Sequence, residues 1–297
     1  MGRTVGVLAA HTKIATGLVE NGAVLGGLQL YPESGSAPDV LDGMPAENLS
    51  QCVLRQIEIA SQGSRIDAVG VALPGIVREG VVAESPNLPQ IKGFKLQQVL
   101  ADALAEQGKP VPVRVFNDAD VIAAGLAATL GELNRFIRVW HLGHGIGYGR
   151  FPWAEGIWEG GHSVVTLNPK ERFCGCGGCG HLEGIMGTRS MRLRFLDMEP
   201  EEVFANAKAD RRCAEFVTLW HRALAAATAT SIAMEGPGKF LITGPSSQFV
   251  EVGRLHIYVH EMVKMSPLQG SQLDVISSGL ETGVVGAAVN ADLLTRP

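Results

Sequence analysis

The 297-residue sequence is short of aromatic residues, at 6%, short of charge, at 19%, and holds only five cysteines. Each shortage excludes something. Five Cys in a chain of this length cannot build a disulfide scaffold, so the fold has to rest on a hydrophobic core, for which 46% apolar residues suffice. Lys and Arg number 25 against 30 Asp and Glu, a formal charge of −5, which leaves no basic footprint for nucleic acid or an anionic membrane surface. No apolar run is long enough to span a membrane, and Met1-Gly2-Arg3-Thr4 leads directly into a strand pattern without a signal-peptide layout. A soluble, cytoplasmic globular protein is therefore expected.

Glycine, in contrast, is plentiful at 37 residues and clustered, which points to tight turns and close backbone approach to a ligand. Asn21-Gly22 between apolar runs predicts a hairpin, so the chain should open as an antiparallel meander over 4–9, 14–19 and 23–30. A helix with Leu49, Val53, Ile57 and Ala60 follows, then a buried strand over 68–73 ending in Pro74-Gly75, a helix stopped by Gly108 and a strand over 111–116. The second half repeats the pattern of the opening, with a strand over 136–142, the loop Gly143-His144-Gly145-Ile146-Gly147 and another strand from Tyr148. Helices over about 185–196, 212–235 and 247–265, strands over 240–243 and 273–276, and a closing helix from about 282 complete the reading. Two α/β domains are expected, 1–117 and 118–282, with residues from 283 onward packing back on the first, and a ligand site in the cleft between them.

Three groups of residues carry chemistry. His162 is followed after eleven residues by Cys174-Gly175-Cys176-Gly177-Gly178-Cys179-Gly180-His181. Thiolate and imidazole are the donors tetrahedral zinc prefers, and glycine turns let a short segment wrap one ion in a closed, structural site. Four ligands would come from His162, Cys174, Cys176, Cys179 and His181, and the spacing does not choose between the last two. Cys52 and Cys213 fall in helical patterns and read as core. Asn117-Asp118-Ala119-Asp120 ends a strand and begins a helix, where the helix N-terminus would keep an Asp ionised to accept a proton from a substrate hydroxyl. By itself this pattern is more often that of a helix cap. Glu159-Gly160-Gly161-His162 and Glu183 flank the Cys cluster, and a structural ion would orient such polar groups.

The run Glu159-x-Gly161-His162, eleven residues, then Cys174-Gly175-Cys176-Gly177-x-x-Gly180-His181-Leu182-Glu183 resembles the ROK family of sugar kinases and repressors. Leu73-Pro74-Gly75, Pro86-Asn87-Leu88-Pro89, Asn117-Asp118-Ala119, Leu142-Gly143-x-Gly145-Ile146-Gly147 and Gly283-x-x-Gly286-Ala287-Ala288 follow in the family's order. The resemblance implies a two-domain actin-like, ribonuclease-H-like α/β fold with a zinc-binding loop, assembled as a homodimer or homotetramer. It implies Asp118 as general base, and Asn117, Glu159, His162 and Glu183, with Gly75 and Asn87, around a hexose. It also implies His162, Cys174 and Cys176 as zinc ligands; His181 occupies the family's third Cys column and Cys179 is an additional thiol. With the first strand at residue 4, no helix-turn-helix of the repressor kind is expected.

The nucleotide side departs from the pattern. Where ROK kinases carry Asp-x-Gly-Gly-Thr-Lys, this sequence has Leu8-Ala9-Ala10-His11-Thr12-Lys13, so only Thr12 and Lys13 persist. Leu8 cannot orient a hydrated magnesium ion, and Ala10 and His11 add side chains where a close turn is needed. His144 replaces a Thr between Gly143 and Gly145, and Pro245 interrupts the glycines after Gly244. Thr12, Lys13, Gly143, His144, Gly145, Gly147, Gly244 and Gly283 are the positions at which the resemblance would place Mg-ATP. The expected function is an ATP-dependent hexose or N-acylhexosamine kinase; the alternative is a sugar-binding sensor without turnover, favoured by the changes at Leu8, Ala10, His11 and Pro245.

Overall fold

The computed structural model describes residues 2–10, 13–33, 41–85 and 88–295. In chain order its principal elements are β1 (Thr4–Ala10), β2 (Lys13–Glu20), β3 (Ala23–Tyr31), α1 (Ala46–Ser61), β4 (Ala68–Leu73), β5 (Ile76–Arg78), β6 (Val81–Glu84), α2 (Leu96–Glu106), β7 (Val113–Asn117) and α3 (Asp118–Thr129). There follow β8 (Ile137–Leu142), β9 (Ile146–Phe151), α4 (Leu182–Met186), α5 (Thr188–Arg194), α6 (Pro200–Ala205), α7 (Arg211–Glu235), β10 (Lys239–Thr243), α8 (Val252–Met262), β11 (Gln272–Val275) and α9 (Leu280–Thr295). They form two compact units, one of Met1–Arg135, Arg150–Ile157 and Ser278–Pro297, the other of Phe136–Gly149 and Trp158–Ser277.

In the first unit a five-stranded sheet runs β3-β2-β1-β4-β7, with β1, β2 and β3 antiparallel and β1, β4 and β7 parallel. Asn21 and Gly22 both take positive φ, 53° and 79°, as the hairpin signal required. Side chains alternate along β1. Val5, Val7 and Ala9 join Leu49, Val53, Ile57 and Leu100 of α1 and α2 in one core, while Gly6 and Leu8 face α9. Burial on both faces accounts for the nearly unbroken apolar run of β1 and β4.

Glycine explains the seating of α9. Gly6 of β1 pairs with Gly17 of β2 and with Gly70 of β4, so three glycines form a row across the sheet. A Cβ on Gly6 would lie 1.9 Å from the Val284 carbonyl oxygen, and one on Gly70 would lie 1.9 Å from that of Ala287. Gly125 and Gly286 allow the same approach between α3 and α9. The helix is thus buried nearly all round, which is why its apolar residues show no single face.

The first compact unit runs past the expected 117/118 junction. Helix α3 belongs to the first unit, because Gly125 and Gly286 lock it against α9, and the first unit runs on to Arg135. The segment Arg150–Ile157 also returns to the first unit, where Trp153 meets Phe116 of β7 edge-on at 5.7 Å.

In the second unit a four-stranded sheet runs β11-β10-β8-β9, with β8, β10 and β11 parallel. Trp140, Leu142, Phe240 and Ile242 pack with Trp220 and Leu224 of α7 and Leu255 and Val259 of α8. The helix expected over 185–196 is two helices, because the chain is extended at Gly187. That expected over 247–265 is a 3₁₀ turn over Pro245–Phe249 followed by α8. The β5–β6 hairpin and α6 were not anticipated, although α6 carries a readable start: Glu199 and Glu202 form a capping box with Pro200 at the first turn. Among the described residues no helix is long and apolar enough to cross a membrane.

Candidate active site

At the end of β7, Asn117 caps α3. Its Oδ1 accepts the Ala119 N–H at 2.8 Å, and its Nδ2 donates to the Gly75 carbonyl at 2.8 Å. Two of the expected sugar-site residues, Asn117 and Gly75, are thereby tied together, and Asp118 is fixed as the first residue of α3, half-buried. The positive end of the helix faces its carboxylate. A pocket of about 640 Å³ in the same unit, lined by Arg78, Arg114, Phe116 and Trp153 among others, includes neither Asn117 nor Asp118.

The second unit gathers the other candidates. Val165 N donates to Gly180 O and Leu182 N to Ser163 O, with Val164 and His181 paired as a short bridge, so the segment after His162 lies against the segment ending in His181. Glu171 is buried and ion-paired with Arg194, whose guanidinium also lies over the Phe173 ring at 4.4 Å, and this anchors the intervening loop.

The result is a cluster of four donors, His162, Cys174, Cys176 and His181, whose ligand atoms all lie within 4.8 Å of one another. The Cys174 and Cys176 sulfurs are 3.4 Å apart, Cys174 Sγ is 3.5 Å from His162 Nδ1, Cys176 Sγ is 3.2 Å from His181 Nδ1, and the two Nδ1 atoms are 3.4 Å apart. A zinc tetrahedron with ordinary Zn–S and Zn–N bonds has edges of roughly 3.3–3.8 Å. The donor set fits that ion in type and in spacing. Cys179 lies outside this cluster, its sulfur 3.4 Å from the Asn168 carbonyl oxygen. Burial pushes the Cys174 thiol up to about 12 against the lowering backbone hydrogen bond at Cys176, so a cation is what would make this sulfur a thiolate. Burial and the neighbouring His162 depress His181, which favours the neutral imidazole a metal requires.

Both nitrogens of His162 are turned to use. Nδ1 belongs to the donor cluster, and Nε2 lies 3.8 Å from Glu159 Oε2. The Glu159 carboxyl is raised by desolvation against the lowering pull of His162, with a smaller upward push from Glu183.

Glu183 is committed more tightly than the sequence suggested. Its Oε2 accepts the Ile146 N–H at 3.0 Å, and its Oε1 lies 3.6 Å from Cys174 Sγ. It joins the cysteine loop to the glycine loop after β8, where a Cβ on Gly145 would lie 2.6 Å from Glu183 Oε2 and displace the carboxylate from the Ile146 amide. No spacing rule in the sequence pairs these two loops, so the role was invisible until they were folded together.

The positions assigned to nucleotide divide between the units. Gly143 and Gly244 are neighbours at the ends of the paired strands β8 and β10, and Pro245 Cδ and His141 Nε2 would each lie 3.8 Å from a Cβ on Gly143. The Gly143 N–H is bonded to the Gly145 carbonyl at 3.0 Å, and the Ile146 N–H to Glu183, so two amides of this loop are turned inward. His144 is exposed and Gly147 lies within β9. In the first unit Lys13 opens β2, and Leu8 packs on α9 so closely that a Cβ on Gly283 would lie 2.7 Å from Leu8 Cδ2. A hydrated magnesium ion does not fit against this hydrocarbon contact. Thr12, His11 and Asn87 lie outside the described residues.

Residues 5–292 match the ROK family. A glucokinase from Pyrobaculum calidifontis is 31% identical over 258 residues, 77% of this chain and 80% of its own. The fold is that of the ROK hexokinase from Thermus thermophilus, with a TM-score of 0.80 at 24% identity over 98% of each chain. It is also that of a ROK family glucokinase from Streptomyces griseus, solved in complex with glucose and AMPPNP, with a TM-score of 0.67 at 22% identity over 98% of this chain and 100% of the other. An actin-like α/β fold, a match along almost the whole sequence and a close glucokinase relative agree: the chain belongs to the ROK family.

Proposed function

We propose that this protein is a sugar kinase that transfers the γ-phosphoryl group of Mg-ATP to a hydroxyl of a hexose or N-acylhexosamine. The observation that carries the reading is the Asn117–Asp118 junction, where one carboxamide both caps α3 and binds the Gly75 carbonyl, leaving Asp118 at the helix start. The glucokinase and hexokinase relatives support it. Asp118 takes the proton of the attacking hydroxyl, a bond forms from that oxygen to the γ-phosphorus, and the bond from phosphorus to the ADP oxygen breaks. Asn117, Glu159 and His162 bind the sugar hydroxyls, and Glu183 ties the cysteine loop that follows His162 to the glycine loop after β8. Zinc held by His162, Cys174, Cys176 and His181 would supply rigidity, fixing the ring on which Nε2 is presented.

A second reading, a sugar-binding sensor without turnover, is favoured by the packing of Leu8 on Gly283. Losing a charge-stabilising group at a phosphoryl-transfer site typically costs on the order of 10²–10³ in rate. The test is phosphoryl transfer from Mg-ATP across a panel of hexoses and N-acylhexosamines, with Asp118→Asn beside the wild type. The kinase reading expects phosphorylated sugar from the wild type, none from the variant, and sugar affinities of the two within about tenfold. Sugar binding without product from the wild type would replace it with the sensor, and equal turnover by both proteins would remove Asp118 as the base.

A further inference from the structure

Helix α8, which holds none of the residues assigned above, carries two histidines one turn apart. His256 and His260 are both exposed, while Leu255 and Val259 of the same helix enter the core. Their rings lie face to face, with centroids 4.8 Å apart and planes inclined by 26°. The i, i+4 spacing projects both imidazoles from one side of the helix. The position of His260 in the last turn accounts for one of them through the helix dipole, but not for its stack on His256. Both rings border a small recess lined mainly by the apolar Ile232, Val259, Val263, Leu268 and Leu273, so the imidazoles are the titratable donors at its rim.

We propose that His256 and His260 chelate a divalent transition-metal ion, in the class of Ni²⁺, Cu²⁺ and Zn²⁺, at a site separate from the His162–Cys174–Cys176–His181 cluster. Metal–imidazole bonds of about 2.0–2.1 Å need donor nitrogens roughly 3 Å apart, which a side-chain rotation brings within reach of rings already stacked. Imidazole without thiolate suits these ions and excludes the hard cations Mg²⁺ and Ca²⁺. With two protein donors the other coordination positions stay open to water or an exogenous ligand, so the site exchanges its ion, unlike the four-donor cluster. The proposal is independent of the kinase reading.

The test is calorimetric titration of the full chain, carrying one equivalent of Zn²⁺, with Ni²⁺, alongside His256→Asn, His260→Asn and the double variant. Both positions are exposed, and melting without Ni²⁺ checks that the variants fold. The expected result is one equivalent of Ni²⁺ bound by the wild type, at least about tenfold weaker binding in each single variant because the chelate is lost, and a Ni²⁺-dependent rise in Tm confined to the wild type. Binding that survives in the double variant would place the ion elsewhere. Full affinity in both single variants would show two independent imidazoles, and no binding at millimolar Ni²⁺ would show no site; each of these outcomes overturns the proposal.

Discussion

Asn117 and Cys179 mark the two extremes of what a residue's type and neighbours reveal. Asn at a strand-to-helix junction has few things to do, and it does the expected one, capping α3, while its other atom reaches Gly75. Cys179 stands among metal donors in the sequence, yet its side chain leaves them, because the turn through Gly177 and Gly180, both at positive φ, rotates successive side chains to opposite sides of the loop. Spacing gives the reach of a residue and not its direction. Cys176→Ser is expected to reduce bound zinc to a small fraction, whereas Cys179→Ser should retain one zinc per chain, as read by elemental analysis of the purified proteins. Equal loss in both variants would return Cys179 to the ligand set. Glu183 was likewise recognisable as a site residue, but its bond to the Ile146 amide depends on a long-range meeting of two loops that no local pattern encodes.

Among the elements, the strands and long helices were readable because each buries a regular pattern: β1 and β4 as apolar runs, α1 by its spaced Leu49, Val53 and Ile57, and the first turn by Asn21-Gly22. Where the reading joined two helices into one, the cause was a continuous apolar pattern across Gly187 that hid a break in the backbone. The seating of α9 was hidden for a different reason. Gly6, Gly17 and Gly70 are far apart in sequence and become a row only when the strands pair. Gly70→Ala puts a methyl group 1.9 Å from a helix carbonyl, and should cost about 3 kcal/mol or more in urea unfolding. A midpoint unchanged from wild type would show that α9 can move away freely.

Helices α7 and α8 are joined through a buried His221. Its Nε2 accepts the Glu251 N–H at 3.0 Å, so Nδ1 carries the proton and donates to the Val217 carbonyl at 2.8 Å. Burial holds this imidazole below its ordinary value of 6.5. The folded state therefore resists a proton that the unfolded chain takes up: the stability His221 contributes is complete above pH 6.5 and is lost as pH falls through the depressed folded value. Urea midpoints measured downward from pH 7 should decline in the wild type and decline less steeply in His221→Asn. Identical slopes would remove His221 as the source.

For the whole molecule, the family and the α/β fold class are legible from motifs spread along the chain. The packing of α3 within the first unit is not local: through Gly125 it meets α9, more than a hundred positions later. Zinc in the four-donor cluster, as proposed, would link stability to sugar binding. Stripping the ion with a strong chelator should lower Tm and weaken sugar binding together, since His162 gives Nδ1 to the cluster and Nε2 to the side facing Glu159. Loss of zinc with sugar affinity intact, followed by calorimetry, would separate the two roles.

The row of glycines under α9 also bears on how the chain is made. Phe136–Gly149 and Trp158–Ser277, the whole of the second unit, leave the ribosome before the helix that covers the first unit's sheet. During synthesis the strip through Gly17, Gly6 and Gly70 waits uncovered, its backbone groups open to water and its flanking Leu8 and Ala72 to any passing apolar surface, until residues 280–295 emerge and close it. The half of the protein that begins the chain is in this sense the last to be finished.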